Sequence, residues 1–471
     1  MNGNGHETSR FLFWNGTHTI GGVQVMLRTP GAALFFDFGF TPNPSASLFS
    51  GVVPAPPDDR LIRYLRAGMA PLVEGLYDPG QLGGRSVAEL TAGLRSGGRI
   101  LEGLPLVDDI DEVPRAVFFS HLHQDHMALL PYLAPGTTIY AHRDSVAFHE
   151  AMVDAGVLSA TPGHFVGLDD GEKVEHGDLI VELAEVDHDV PGASGFLATL
   201  PCGRALAWTG DWRLHGRHRV RLNRFAERCS ARDGVILLTE GTSLGPDMSG
   251  ATAGEALTES QVDERFEAVL AERPGLVTTA FYPRNLDRIE SFRRIAASHG
   301  RQLVLSRATA SSWYGAVDRG VQAGDPSGVA IIEDGLEPGP LPQLRPSELA
   351  EHRSAFVCEA QIEGRSILLD AASGPGDVYV HTNGNPLGTK GAEWEALQAW
   401  MRQTGTRFER LNSGGHAPPD GLEWLADAAG PQLLVPLHST HPELYPSAGV
   451  PMYLPQRGQV ADLQPGEVVM S

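Results

Sequence analysis

Three imidazoles and a carboxylate fall within six residues, His121-Leu122-His123-Gln124-Asp125-His126, directly after the apolar run Ala116-Val117-Phe118-Phe119-Ser120. No other feature of the chain restricts its fold as much. The apolar run reads as a buried strand, so the histidines sit at its C-terminal mouth. A cluster of buried polar rings costs free energy unless something coordinates it, and a metal ion supplies that compensation. In an extended turn His121 and His123 point the same way while Asp125 and His126 curl round, so one short loop can serve two neighbouring ions. Four ligands cannot complete two sites. At least one more histidine and a bridging carboxylate are therefore required downstream, each at a strand end. His188, in Val186-Asp187-His188-Asp189-Val190-Pro191-Gly192, follows the run Leu179 to Leu183. Asp211, in Trp208-Thr209-Gly210-Asp211, follows Ala205 to Thr209, and His438, in Pro436-Leu437-His438-Ser439, follows Leu433 to Leu437 and can close the second site.

Around these positions the pattern changes twice. The first part alternates β-type runs with turns: Gly22 to Leu27, Ala33 to Phe38 ending in Asp37-Phe38-Gly39, Thr138 to Ala141, Leu179 to Leu183, Gly195 to Leu200 and Gly234 to Leu238. A Pro/Gly-rich, partly helical stretch from Thr41 to Val113 interrupts it. After Gly241 come helix (Glu259 to Glu272), strand (Leu276 to Phe281), helix (Asp287 to Ser298) and strand (Gln302 to Leu305), the alternation of a parallel α/β layer. The acidic, proline-rich stretch Ile332 to Leu349 reads as loop, followed by strands at Ser366 to Leu369 and Asp377 to Val380. A helix at Glu393 to Gln403 leads back to the first domain. This predicts residues 1–243 and 386–471 as one domain with residues 244–385 inserted.

Composition narrows the function classes. At 471 residues and 42% hydrophobic content the chain can bury a large core. Its formal charge of −22 excludes a generally basic surface, so nucleic-acid contact has to be local. Cys202, Cys229 and Cys358 are scattered and indicate neither a disulfide framework nor a thiolate zinc site. No apolar run is long enough to span a bilayer and Met1 to Arg10 is polar, so a non-membrane, cytoplasmic protein is the default expectation.

The ligand set resembles the metallo-β-lactamase superfamily, whose HxHxDH signature stands complete at His121 to His126, with the downstream HxxPG, TGD and PxH elements in order. The chain is also similar to the β-CASP branch and, within it, to the ribonuclease J-like proteins, over most of its length. Glu240 in Thr239-Glu240-Gly241-Thr242 matches the first extra motif of that branch, His416 in Ser413-Gly414-Gly415-His416-Ala417 the second, and His438 the third. Thr279 to Asn285 with Arg288, and Asn383 to Gly388, resemble two loops of the branch's inserted domain. Two glycines rather than one precede His416, Ser439-Thr440 stands where ribonuclease J has Gly-Glu, and Pro283-Arg284 replaces Ala-Ser.

The resemblance implies an α/β fold, a metallo-β-lactamase αββα sandwich with an inserted α/β β-CASP domain. It implies that His121, His123, His188 and Asp211 hold one ion and Asp125, His126, Asp211 and His438 the other. Two divalent ions are implied, zinc first and manganese as an alternative, and Asp37 resembles the family's buried aspartate that supports the ligand loop. Ions roughly 3.5 to 4 Å apart can make water nucleophilic near neutral pH, for in-line attack on phosphorus. By resemblance His416 contacts the scissile phosphate or protonates the leaving oxygen, and Glu240 orients it; Asp125, Glu240 and His416 form the catalytic set. Ser413, Gly414, Gly415, Arg284, Asn285 and Arg288 are the candidate substrate contacts. His18, His142, His164, His381 and His441 read as bystanders, with His441 the substitute for His438 should the register differ, and Trp208 and Trp212 read as packing. Three functions stay open: a ribonuclease acting on RNA, a hydrolase of small esters, lactones or phosphodiesters, and a silent scaffold. A homodimer is expected by analogy alone.

Overall fold

The computed structural model describes residues 9–40, 59–97, 100–108, 113–245, 257–335, 340–361, 366–383, 392–464 and 467–470. Among them, two sheets face each other. The first runs, edge to edge, through Glu467–Met470, Val460–Gln464, Ser9–Asn15, Gln24–Arg28, Ala33–Phe36, Arg115–Phe118, Thr138–His142 and His164–Leu168. The second runs through Leu433–Leu437, Ile236–Glu240, Ala205–Trp208, Ser194–Thr199, Leu179–Glu185 and Lys173–His176. Phe11, Phe13, Val25 and Phe36 of the first sheet share one buried cluster with Leu183, Phe196, Trp208 and Val435 of the second. Phe196 fixes the contact, with its ring centroid 4.8 Å from Phe36 and 4.4 Å from Phe118. The outer face of the second sheet is covered by helices Arg219–Ser230 and Pro419–Ala429 through Leu222, Phe225, Leu422 and Leu425. The outer face of the first packs on helix Arg143–Asp154, completing a four-layer αββα sandwich.

A third sheet is parallel throughout, in the order Gln343–Leu344, Val329–Ile332, Gln302–Leu305, Phe356–Glu359, Val277–Ala280, Val378–Asn383, Arg407–Ser413. Helices Glu259–Ala271 and Leu286–Ser298 pack on it with the Phe266 and Phe292 rings stacked at 3.8 Å. The unit is seated on the sandwich: Gly315 of helix Arg307–Asp318 lies against Ala151, close enough that a Cβ at Gly315 would come within 2.9 Å of the Ala151 Cβ.

The structure departs from the sequence reading in definable places. Ser366–Asp370 is helix, not strand; a run of three apolar residues carries no period that separates the two. Strand Arg407–Ser413 adds to the third sheet although it lies past residue 385, and it delivers the chain to His416. Ile332 to Leu349 includes strand Gln343–Leu344 and the start of helix Pro346–Glu351, with residues 336–339 outside the described residues. Residues 41–58 of the Pro/Gly-rich stretch, 246–256 at the start of the predicted insert and 384–391 at its predicted end also lie outside them. No helix among the described residues is long and apolar enough to cross a membrane.

Candidate metal centre

Each ligand-bearing segment reaches the centre from the end of a strand. Arg115–Phe118 delivers His121, His123, Asp125 and His126; Leu179–Glu185 delivers His188, Ala205–Trp208 delivers Asp211, and Leu433–Leu437 delivers His438. His438 and Asp37 hold left-handed backbone, with φ of 51° and 55°. Non-glycine residues keep such conformations where the surroundings over-determine them, which is typical of sites.

The predicted residues converge. One ligand atom each from His121, His123, His188 and Asp211 lie within 4.8 Å of one another, as do those of Asp125, His126 and His438, and of Asp211, His416 and His438. Asp211 lies between the groups: its Oδ2 is 3.7 Å from His121 Nε2, 3.2 Å from His126 Nε2 and 3.6 Å from His438 Nε2. Asp125 Oδ2 is 3.0 Å from His438 Nε2.

Four of the five outward ring nitrogens are anchored by hydrogen bonds, and the fifth faces a carboxylate. His121 Nδ1 lies 2.9 Å from Ser120 Oγ, His126 Nδ1 2.9 Å from Asp37 Oδ2 and His438 Nδ1 2.7 Å from Thr242 Oγ1. His188 Nδ1 donates to the Gly415 carbonyl at 2.6 Å. His123 is turned the other way, Nδ1 inward at 3.3 Å from His188 Nε2 and Nε2 outward at 3.1 Å from Asp189 Oδ1. Anchoring one nitrogen fixes the tautomer and aims the other, the arrangement that surrounds metal-binding histidines. Four of the inward atoms have no partner: His121 Nε2, His126 Nε2 and both Asp211 carboxylate oxygens are buried and make no hydrogen bond. Orphaned donors and acceptors in this number are costly, and a pair of divalent cations among them resolves the cost. The donor set fits such ions. Burial, with the neighbouring imidazoles, pushes the His121 pKa well down, and burial takes His188 to about 3, so both rings stand neutral as ligands must. Burial works against the Asp211 anion, yet the His126, His438 and His416 rings hold its carboxyl well below the usual range.

Asp37 supports this from beneath. Its buried carboxylate accepts from Ser120 N at 2.6 Å, Ser120 Oγ at 2.8 Å and Trp208 Nε1 at 3.1 Å, besides facing His126. Asp37→Ala strips these donors of their acceptor in a dry core and is expected to cost about 3–5 kcal/mol of stability. Urea unfolding at neutral pH checks it; a loss below about 1 kcal/mol would mean the donors find other partners.

Glu240 and His416 adjoin the centre. Glu240 is fully buried and accepts from Thr242 N at 2.7 Å and Ala417 N at 3.2 Å, with Oε2 3.6 Å from His416 Nδ1. Burial lowers the His416 pKa, but Glu240 and then Asp211 outweigh it and hold the ring at about 9. The candidate substrate contacts divide. Ser413 Oγ is buried without a hydrogen bond. The Gly414 carbonyl accepts from Arg213 Nη1 at 3.1 Å and His215 Nε2 at 2.8 Å, and a Cβ on Gly415 would lie 2.8 Å from His188 Cε1, so the second glycine is a matter of space. Arg284 donates to the Leu122 carbonyl, tying the inserted unit to the ligand loop. Asn285 caps helix Leu286–Ser298 by accepting from Arg288 N, and Arg288 is buried in a two-point ion pair with Glu259. The expected Asn383 to Gly388 loop lies outside the described residues beyond Asn383. Trp208 and Trp212 are fully buried, and none of the five bystander histidines joins a ligand group among the described residues. Sequence reasoning missed Asp189, Arg213 and Glu259. Asp189 abuts the candidate ligand His188 in sequence and Arg213 follows the candidate ligand Asp211 by two residues, whereas Glu259 carries no local signal.

No family model matches the chain. It is 26% identical over 423 residues to ribonuclease J of Sinorhizobium meliloti, covering 83% of this chain and 72% of that one. Ribonuclease J 2 of Streptococcus pyogenes is 22% identical, over 70% of this chain and 60% of its own length. Ribonuclease J of Thermus thermophilus is 23% identical, over 72% and 62%. The chain thus spans between 60% and 72% of these relatives. A crystal structure of a protein of unknown function from Enterococcus faecalis superposes over 97% of this chain and all of that one, with a TM-score of 0.74 and 24% identity. Sandwich, inserted parallel sheet and sequence likeness agree: this chain is similar to ribonuclease J over most of its length, and its mixed α/β fold is consistent with the β-CASP branch of the metallo-β-lactamase superfamily.

Proposed function

We propose that this chain hydrolyses phosphodiester bonds in RNA with two divalent ions. The observation that carries the reading is the convergence of seven ligand side chains from four strand ends beside a buried Glu240–His416 pair. We assign His121, His123, His188 and Asp211 to one ion and Asp125, His126, Asp211 and His438 to the other. Two such ions, zinc or manganese, would activate a water and neutralise charge on a phosphate oxygen. His416, whose pKa stands at about 9, is protonated at neutral pH and able to pass its proton to the leaving oxygen. Glu240 keeps that imidazole charged and aimed. Ser413, the glycines after it and Arg284 line the approach in this proposal, while Asn285 and Arg288 act by holding the inserted unit in place. The unit itself is taken as residues 244–385 within a core of 1–243 and 386–471, with strand Arg407–Ser413 of the return segment completing the unit's sheet. A homodimer and a cytoplasmic location belong to the same proposal and rest on kinship.

A second reading has its own observation. A cavity of about 140 Å³ opens beside His188 and Asp189, lined by Asp144, His218, Arg221, Asn285 and Asp287. Its basic side chains are already paired, His218 with Asp287 at 2.9 Å and Arg221 with Glu185 at 3.3 Å, which suits a small polar group better than a polyanion. Single-stranded RNA labelled at either end, incubated with metal-loaded protein and run beside a panel of small esters, lactones and phosphodiesters, separates the two. Metal-dependent RNA cleavage is expected. Turnover of a small substrate with RNA left intact would transfer the assignment to the second reading.

A further inference from the structure

Arg213 lies two residues beyond Asp211 and is 1% exposed. Its backbone N–H donates to the Asp187 carbonyl at 2.8 Å, and its Nε lies 3.5 Å from the Asp187 carboxylate. Nη1 donates at 2.8 Å to Glu259 Oε1, and to the carbonyl of Gly414 at 3.1 Å. Glu259, also 1% exposed, starts helix Glu259–Ala271 and accepts from Arg288 Nε at 2.9 Å and Nη2 at 2.7 Å. Arg288 in turn donates to the Thr382 carbonyl at 3.2 Å, near the end of strand Val378–Asn383. Replacing buried charges by well-packed apolar side chains is often neutral or stabilising, so holding the fold together does not by itself account for a chain of them crossing between two units.

It ends on the two segments where placement matters. Asp187 precedes the ligand His188. Gly414 and Gly415 precede His416, and their carbonyls receive Arg213, His215 and His188 in turn. We infer that Arg213 is a positioning residue: with Glu259 and Arg288 it forms a buried ionic strut that couples the inserted unit to the 413–416 turn and so sets where the His416 ring stands over the metal centre. Arginine suits the task because its planar group holds Nη1 against the Glu259 carboxylate and the Gly414 carbonyl while its Nε faces the Asp187 carboxylate, three sites that one ammonium does not span. The role in turnover rests on the RNA-cleaving reading above; the mechanical coupling does not.

Arg213→Met and Arg213→Lys, in the full chain loaded with metal, test it through hydrogen exchange and kinetics. Arg213→Met is expected to speed exchange in residues 411–418 by at least about 10-fold, with the strands of the sandwich unchanged. It is expected to lower kcat on RNA by about 10–100-fold while KM moves little and metal stoichiometry holds. Arg213→Lys keeps the charge opposite Glu259 and should recover part of both losses, and it serves alone if the methionine variant does not fold. Unchanged exchange in 411–418 in a folded variant overturns the strut. Faster exchange with no RNA cleavage even by the parent chain would leave the strut standing and remove the RNA reading.

Discussion

Asp211→Asn is expected to cut turnover by at least about 10³-fold and to reduce bound metal to less than one ion per chain. The expectation follows from where the carboxylate sits. Asp211 Oδ2 faces nitrogens of His121, His126, His416 and His438 at 3.2–3.7 Å, and neither oxygen has a hydrogen bond to lose. Its negative charge is the one feature common to both groups of ligands. An amide keeps the volume and removes that charge, so two cations held by these groups would lose the anion that offsets their mutual repulsion. The fold should survive, since the Asp211 oxygens take no part in the hydrogen bonds that connect the sheets. Metal content by plasma emission spectroscopy, circular dichroism and activity together check this. Full metal loading in Asp211→Asn would show that the two ligand groups act independently, and would count against a bridged pair.

Asp125→Ala should behave less severely. Its carboxylate touches one group only, 3.0 Å from His438 Nε2 and 3.7 Å from His126 Nε2, and it is the most exposed of the acidic ligands. One ion is lost and the other kept, so metal content separates the two substitutions even where activity falls too low to compare.

How much of this was legible beforehand depends on how local each signal is. The His121 to His126 cluster declares itself because a single turn holds four candidate ligands, and the demand for a second site leads to His188, Asp211 and His438 at strand ends, which the structure brings together with it. Asp37 was legible only through the resemblance, which implies a buried aspartate beneath the ligand loop. Arg288 was not. In sequence it stands beside a loop and a helix start, which fits a substrate contact, but the structure buries it against Glu259, 29 residues earlier. Nothing near Glu259 advertises a buried acid; its pairing exists only because two helices of the inserted unit lie side by side. Strand Arg407–Ser413 escaped notice because Arg407, Glu409 and Arg410 dilute its apolar pattern, while its parallel pairing with Val378–Asn383 supplies the missing support. Tertiary pairing outweighed propensity there. The same strand explains how His416 reaches the centre: it leaves the third sheet, passes Gly414 and Gly415, and arrives beside a carboxylate carried by the second.

That arrival is what makes His416→Ala the sharper test of chemistry as opposed to binding. The ring contributes to the site through Glu240 and Asp211, at 3.6 and 3.7 Å from its Nδ1, but the proposed two metal groups are complete without it. Metal stoichiometry is therefore expected to hold while kcat on RNA falls by about 10²–10⁴-fold, the range for losing a positioned proton donor. A substrate whose leaving group needs no proton, such as a nitrophenyl phosphodiester, should lose far less. The difference between the two substrates isolates proton delivery from phosphate binding, because a ring that only held the phosphate would, once removed, slow both alike. Glu240→Gln should reproduce the pattern in weaker form, since the imidazole remains but its cation loses the carboxylate that favours it. Equal losses on both substrates in His416→Ala would assign the ring to holding the phosphate, and undiminished RNA cleavage would remove it from the reaction.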